Sequence, residues 1–365
     1  MLAVRRLSLY LRRCSAAMTR FILLSAVVVL AVACAATTRG DDKKTTKTLS
    51  KIERLDPAFD DLIGRDAKLE VLATGHDWTE GPVWVPRDGG FLLFSDIPRN
   101  RVYKWQQGKK ESVFMEPSGG TDKDAALLKE PGSNGLLLDP DGRLVLMEHG
   151  DRRVSRLDSW DGKKKTTLAH RYMDKRLNSP NDGVFKSNGD LYFTDPPYGR
   201  ALRASKGGGF PDRDLDFCGV YRLSKDGKLT LLTKEMSKPN GIAFSPDEKT
   251  LYVANSDPDK AIWMRFPVKA DGTLGAGKVF FDATKLAGKD RPGLPDGMKV
   301  DAKGNVFATG PGGVLVFTSQ GKHLGTIATG VPTANCAWGN DGSVLYVTAD
   351  KALTRIKTKT KGKGF

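Results

Sequence analysis

The sequence predicts an all-β fold, a six-bladed β-propeller, on three observations. First, one unit is written six times, opening on a polar residue and a small or apolar step at Glu80, Asn134, Asn181, Asn240, Asp296 and Asn335. The spacings between these positions are 54, 47, 59, 56 and 39 residues, a period that marks a propeller or solenoid. Second, each opening leads to a turn signal, such as Arg87-Asp88-Gly89, Asp141-Gly142, Asn188-Gly189 or Asp341-Gly342. A β-rich run follows each time: Phe91–Ser95, Leu144–Met147, Leu191–Thr194, Leu251–Ala254, Val306–Ala308 and Leu345–Thr348. Third, the body holds no convincing amphipathic helix. Four strands per unit make a blade, and such blades close into a ring whose innermost strands line one channel. Six polar residues in the same register would meet at one mouth of it.

Taken in order, residues 1–33 read as an export signal. Arg5, Arg6, Arg12, Arg13 and Arg20 flank an apolar run of 13 residues, Phe21 to Ala33, which is short for a membrane span. Met18 offers a second start. Ala31-Val32-Ala33-Cys34 resembles a bacterial lipoprotein cleavage site, so lipid attachment at Cys34 and plain secretion both stay open. The expected location is periplasmic or extracellular. Residues 34–66 read as a polar tether, 67–357 as the propeller and 358–365 as a solvated basic tail. Lys68–Ala73 reads as a strand that closes the ring on the last blade, which leaves no unpaired edge there. Loss of the signal removes five Arg and no acid, taking the charge from +15 to about +10. That surface would tolerate anionic polymers or lipid headgroups. No basic stripe is interleaved with aromatics, so no nucleic-acid partner is expected. Two connections are long, 116–133 and 196–217, and each reads either as a lid over the channel mouth or as a surface excursion. Of the body's two cysteines, Cys218 and Cys336, the second reads as a small buried apolar residue.

The six mouth residues supply two carboxylates and four amides, all oxygen donors, with no His or Cys in the register. A hard divalent cation prefers this chemistry. His76, His149, His170 and His323 show no zinc-ligand spacing. Taken singly, each Asn-Gly is equally an ordinary turn. Asp139-Pro140-Asp141-Gly142 lacks the further ligands of a calcium loop and reads as a turn. His149 reads as an accessory substrate contact or a structural histidine, and Asp195 as a second cation ligand or a turn cap. No Gly-x-Ser-x-Gly is present, so a serine-hydrolase triad has no support.

Several motifs in one order resemble the family of senescence marker protein 30, gluconolactonase and luciferin-regenerating enzyme, with the bacterial gluconolactonase branch nearest. They are Glu80-Gly81-Pro82-Val83-Trp84, Glu148-His149-Gly150, Ser179-Pro180-Asn181-Asp182-Gly183, Tyr192-Phe193-Thr194-Asp195-Pro196-Pro197-Tyr198-Gly199, Pro239-Asn240-Gly241 and Pro295-Asp296-Gly297-Met298. The resemblance covers about residues 70–356 and implies a six-bladed propeller with a central metal site. It implies Glu80, Asn240 and Asp296 as metal ligands, Asp296 as the catalytic residue, and Asn181 as a substrate contact; Asn134 and His149 join Asn181 as substrate-binding candidates. The implied cofactor is one divalent ion, Ca2+ first, with Mg2+, Mn2+ or Zn2+ as alternatives. The implied partner is a small-molecule sugar lactone. The family's substrate-binding Arg has no counterpart in register, since Arg176 is displaced from it. The resulting expectation is metal-assisted lactone hydrolysis. Its rivals are a non-catalytic, envelope-tethered binding propeller and a metal-dependent esterase of other substrate range. Fold alone does not separate them.

Overall fold

In the computed structural model, which describes residues 51–162, 164–204, 209–210 and 213–365, the repeat becomes a ring of six antiparallel blades. The export signal, Cys34 and most of the tether lie outside the described residues. The inner strands of blades 1 to 6 are Thr79–Val85, Ser133–Leu138, Gly183–Phe185, Pro239–Phe244, Met298–Val300 and Thr333–Gly339. Each blade adds its next strands outward in chain order. The inner strands pack side by side around the ring, and Thr333–Gly339 closes it against Thr79–Val85. The expected closing strand is present as Glu70–Thr74. It forms the outer edge of blade 6, with Glu70 opposite Arg355. The turns fall where the sequence signals them, with left-handed backbone at Asp88, Gly142, Gly189, Glu248, Gly304 and Gly342.

The second strand of each blade is buried on both faces, as in Phe91–Asp96 and Leu191–Asp195, because blades stack face to face. Residues between adjacent blades form the core. Val145 and Met147 of blade 2 pack with Phe193 and Tyr221 of blade 3, whose rings stack at 5.4 Å.

Both flanking segments depart from expectation. The tether is structured from Ile52: Ile52–Arg54 pairs with His323–Ala328 as a fifth strand on blade 5. Phe59 and Ile63 behind it are fully buried among residues of blades 5 and 6. These apolar side chains, scattered through a Lys/Asp-rich stretch, leave no period for a sequence reading to find. The basic tail is only partly solvated, with Lys359 and Lys361 exposed. Thr358 and Thr360 are buried, Thr360 Oγ1 donates to Asp301 Oδ2 at 2.8 Å, and Lys359 N donates to Leu62 O at 2.8 Å. The two ends of the described chain are thus tied to each other under blades 5 and 6. Cys218 and Cys336 are both free and buried, and Cys336 sits in the apolar core as read.

A buried charge cluster joins the closing strand to blade 1. His76 Nδ1 lies 3.4 Å from Asp96 Oδ2 and its Nε2 lies 3.4 Å from Glu111 Oε2. Phe94 and Tyr103 present their rings to the imidazole edge to face, and Arg99 reaches the same Asp96. Burial alone would lower the imidazole pKa, but the Asp96 and Glu111 carboxylates outweigh it and push it up to about 9. A raised pKa stabilises the fold fully below the ordinary value near 6.5 and loses that contribution as pH rises through about 9. The melting temperature should therefore fall across that window. His76→Gln should be less stable than the parent at pH 6 and should show a flatter alkaline limb when melting is followed from pH 6 to about pH 10.

Candidate functional site

In blades 1, 2 and 4 the inner strand approaches its neighbour so closely that the residue after the mouth position has no room for a side chain. A Cβ at Gly81 would lie 2.0 Å from Asn134 O, one at Gly135 2.6 Å from Asn181 O, and one at Gly241 2.2 Å from Asp296 O. The glycines of these Asn-Gly and Glu-Gly pairs are therefore close-approach residues rather than turn residues. Hydroxyls stitch the same junctions. Ser95 Oγ of blade 1 donates to Asn134 O of blade 2 at 2.8 Å, and Thr194 Oγ1 of blade 3 donates to Asn240 O of blade 4 at 2.7 Å. Thr309 Oγ1 of blade 5 donates to Ala334 O of blade 6 at 2.8 Å.

That last bond corrects the predicted register. In blade 6 the mouth position belongs to Ala334. Asn335 occupies the position held by Gly135, Gly241 and Gly297 elsewhere, one layer deeper. Asp182 does the same in blade 3, and Asn335 Nδ2 donates across the channel to Asp182 Oδ2 at 3.3 Å. The Asn-Cys pair looked like the Asn-Gly pairs in sequence; only the stitching bond shows the one-residue offset.

The other five mouth residues come together. Glu80, Asn134, Asn181, Asn240 and Asp296 line one cavity of about 480 Å3. The Oδ1 atoms of Asn134, Asn181, Asn240 and Asp296 are buried with no hydrogen-bond partner. Glu80 Oε2 accepts from Gly81 N at 2.8 Å. Burial raises the pKa of both Glu80 and Asp296; the Asp182 carboxylate raises both further, and Glu80 adds to the rise at Asp296. Orphaned oxygens are expensive to bury, and two repelling carboxylates among them make a pocket of strongly negative potential. This oxygen-only set fits a hard divalent cation. Among the described residues no cluster of three or more His, Cys, Asp or Glu forms a metal site, so an ion held here would need amide oxygens as well, unlike a zinc centre.

A repeated bracket aims the strands into the mouth. A residue at or near the end of the second strand of a blade accepts from amides just ahead of the mouth residue. Asp195 Oδ2 and Oδ1 accept from Asn178 N and Ser179 N, both at 2.8 Å. Asp96 accepts from Asp77 N and Trp78 N, and Asn255 Oδ1 accepts from Lys238 N at 2.9 Å. Asp195 is thus a backbone bracket and not a cation ligand. Burial pushes its pKa up to about 7, against the pull of the two amides and of Arg152 and Arg213. Asp139 likewise closes its own turn through Asp141 N and Arg143 N.

His149 does not reach the cavity. Its ring is fully buried, with Nδ1 3.9 Å from Glu130 Oε2, and Gly199 packs against it so tightly that a Cβ there would fall 2.3 Å from His149 Cβ. Burial first, then the charge of Arg200, holds the imidazole down at about 3, against a backbone bond from Glu130. It supports the wall rather than contacting what the cavity holds. Sequence reasoning missed the upper walls: Trp78, Glu130, Tyr198, Leu294 and Pro332. Glu130 and Tyr198 stand on the two long connections, and those connections meet. Leu128 bridges Leu202, Lys129 N donates to Ala201 O at 2.8 Å, and Arg203 N donates to Leu127 O at 3.0 Å. Loop length was the one signal that pointed there.

A ring of six blades with an oxygen-lined pocket at the channel mouth defines a propeller of the ligand-binding or hydrolytic class. The chain belongs to the SMP-30/gluconolactonase/LRE-like family, whose profile matches residues 78–351. It is 38% identical over 325 residues to the gluconolactonase of Zymomonas mobilis, covering 86% of this chain and 88% of that one. It is 26% identical over 286 residues to a pentonolactonase of Haloferax volcanii, covering 76% and 83%. The solved structure of a gluconolactonase of Xanthomonas campestris superposes with a TM-score of 0.72 at 33% identity, covering 84% of this chain and 94% of that one.

Asp195→Ala would leave two buried amides without an acceptor, at a cost on the order of 2 kcal/mol or more. Urea denaturation should show that loss, with Asp195→Asn recovering part of it through its remaining carbonyl oxygen.

Proposed function

We propose that this protein is a lactone hydrolase that opens a sugar lactone. The observation that carries the reading is the convergence of Glu80, Asn181, Asn240 and Asp296 on one cavity, in a chain whose relatives include proteins named for lactone hydrolysis. We read Glu80, Asn240 and Asp296 as the residues that would hold a divalent ion, with Ca2+ favoured by the all-oxygen donors. Such an ion, when bound, would polarise the lactone carbonyl and lower the cost of charge on its oxygen. Asn181 and Asn134 present amide groups to the sugar and orient it. Asp296 takes a proton from the attacking water as general base. The water oxygen bonds to the carbonyl carbon, the bond from that carbon to the ring oxygen breaks, and the ring oxygen leaves with the proton that Asp296 held. The deep layer of Asp182 and Asn335 closes the channel beneath by hydrogen bonding. We place the enzyme outside the cytoplasm, in the periplasm or beyond it, on the strength of the basic-headed apolar run before Cys34, and we leave both lipid attachment and release open to experiment.

Proton release from glucono-1,5-lactone, corrected for spontaneous opening, tests the reading. Turnover should vanish after chelation and return with Ca2+ or another divalent ion. A purified protein that opens no lactone under any of these conditions would overturn it. Asp296→Asn should lose about 10²- to 10⁴-fold in kcat while melting no lower than the parent in the absence of cation, because the substitution removes a buried like-charge repulsion. Glu80→Gln should weaken calcium binding measured by calorimetry before it changes the fold; an unaltered titration would remove Glu80 from the ligand set.

A further inference from the structure

The cavity holds a carboxylate that neither the mouth register nor the chemistry above uses. We infer that Glu130 is a specificity-determining residue that recognises the hydroxyl groups of the sugar, and so selects polyhydroxylated lactones over bare ones. This inference rests on the lactonase reading of the same cavity.

Glu130 lines the cavity beside Asn134 and Tyr198, and its side chain is 20% exposed. It stands outside the inner-strand register, on the connection that leads into blade 2. The nearest charged groups do not satisfy it. Lys129 Nζ is 3.9 Å away from Oε1, on a side chain that is 67% exposed, and His149 Nδ1 is 3.9 Å from Oε2. Both separations exceed hydrogen-bond length. A carboxylate accepts through two oxygens with about four lone-pair directions, on a residue that lines the space a ligand would fill. Hydroxyl groups of a polyol are donors that match it. The rest of the upper wall offers apolar surface from Trp78, Ile97, Leu294 and Pro332, suited to the C–H face of a sugar ring.

The backbone under Glu130 is fixed, as recognition requires. Gly132 N donates to Ile97 O at 3.0 Å, Gly150 N donates to Pro131 O at 3.1 Å, and Lys129 N is held by Ala201 O. Upstream, Asn100 Oδ1 accepts from Ser118 N, Gly119 N and Gly120 N. The carboxylate is therefore presented from an ordered wall, with the buried His149 behind it. Burial also raises the Glu130 pKa, to about 7, against the weak pull of Lys129. A site built to bond hydroxyls discriminates against analogues that lack them, because its own polar groups are then left unpaired.

The test compares the parent, Glu130→Ala and Glu130→Gln on glucono-1,5-lactone and on unsubstituted δ-valerolactone. The ratio of the two kcat/KM values should fall about 10- to 100-fold in Glu130→Ala, through KM on the sugar lactone. Glu130→Gln, which keeps one acceptor oxygen, should fall less. Calorimetry adds a readout free of turnover: D-glucitol, a polyol with nothing to hydrolyse, should bind the parent more tightly than Glu130→Ala, while both still bind calcium. An unaltered ratio, an equal loss on both lactones, or a loss of calcium binding in Glu130→Ala would each overturn the inference. A parent that opens neither lactone would overturn the lactonase reading instead, and the glucitol titration would still judge Glu130.

Discussion

Everything at the channel mouth depends on how closely neighbouring inner strands approach. Where a Cβ at Gly81 or Gly241 would fall about 2 Å from the next blade's carbonyl oxygen, no residue but glycine is admitted. The reward of that approach is geometric. The mouth residue of one blade is brought within bonding distance of a hydroxyl on the second strand of the blade before it, as Thr194 and Asn240 show. A side chain at the junction would wedge the blades apart, break the stitching bond and widen the pocket. The ring is thus self-consistent: the small residue allows the contact, the contact fixes the strand, and the fixed strand aims its oxygen inward.

The electrostatic consequence follows from the same closeness. Glu80, Asp182 and Asp296 share a water-poor space, and each raises the pKa of the others or is raised by burial. Lys299 offsets part of this from below. A protein gains no stability from unpaired acids and orphaned amide oxygens in its interior. Such a cluster persists because brackets such as Asp195 on the Asn178 and Ser179 amides hold the backbone in place. The strain of the site is carried by backbone hydrogen bonds that lie outside it. This is the arrangement expected of a functional site, where stability is sacrificed for a poised set of ligands.

The two long connections divide the labour differently from the ring. The inner strands supply the register-bound oxygens, while the connections 116–133 and 196–217 supply Glu130 and Tyr198 and lean on each other at Leu128 and Leu202. Under the lactonase reading, the blade framework would keep the register of oxygen donors while the wall above it varies, and substrate choice would be a property of the loops, in keeping with the way scaffolded loops carry recognition in many folds.

Much of this was legible in the sequence because it is local. The six-fold repeat gave the blades, since strand-forming runs and turn residues are short-range signals. The oxygen-only register gave Glu80, Asn134, Asn181, Asn240 and Asp296, since residue type alone decides donor chemistry. The closing strand was visible for the same reason. What the sequence did not hold was any contact between distant segments. Asn335 was placed one layer too high, because a register offset of a single residue is set by the bond from Thr309 to Ala334 and leaves no trace in composition. His149 was read as either a substrate contact or a structural histidine, and only the packing of Gly199 against it seals it off from the pocket. Residues 34–66 were read as a polar tether and 358–365 as a solvated tail, although Phe59, Ile63, Thr358 and Thr360 are buried. Glu130 was invisible, since nothing in Lys-Glu-Pro distinguishes a wall residue from a surface one. The sequence by itself determined the blades and the kind of atom at their mouths. The tertiary structure decided which of those atoms meet, because that depends on blade-to-blade distances that only ring closure sets.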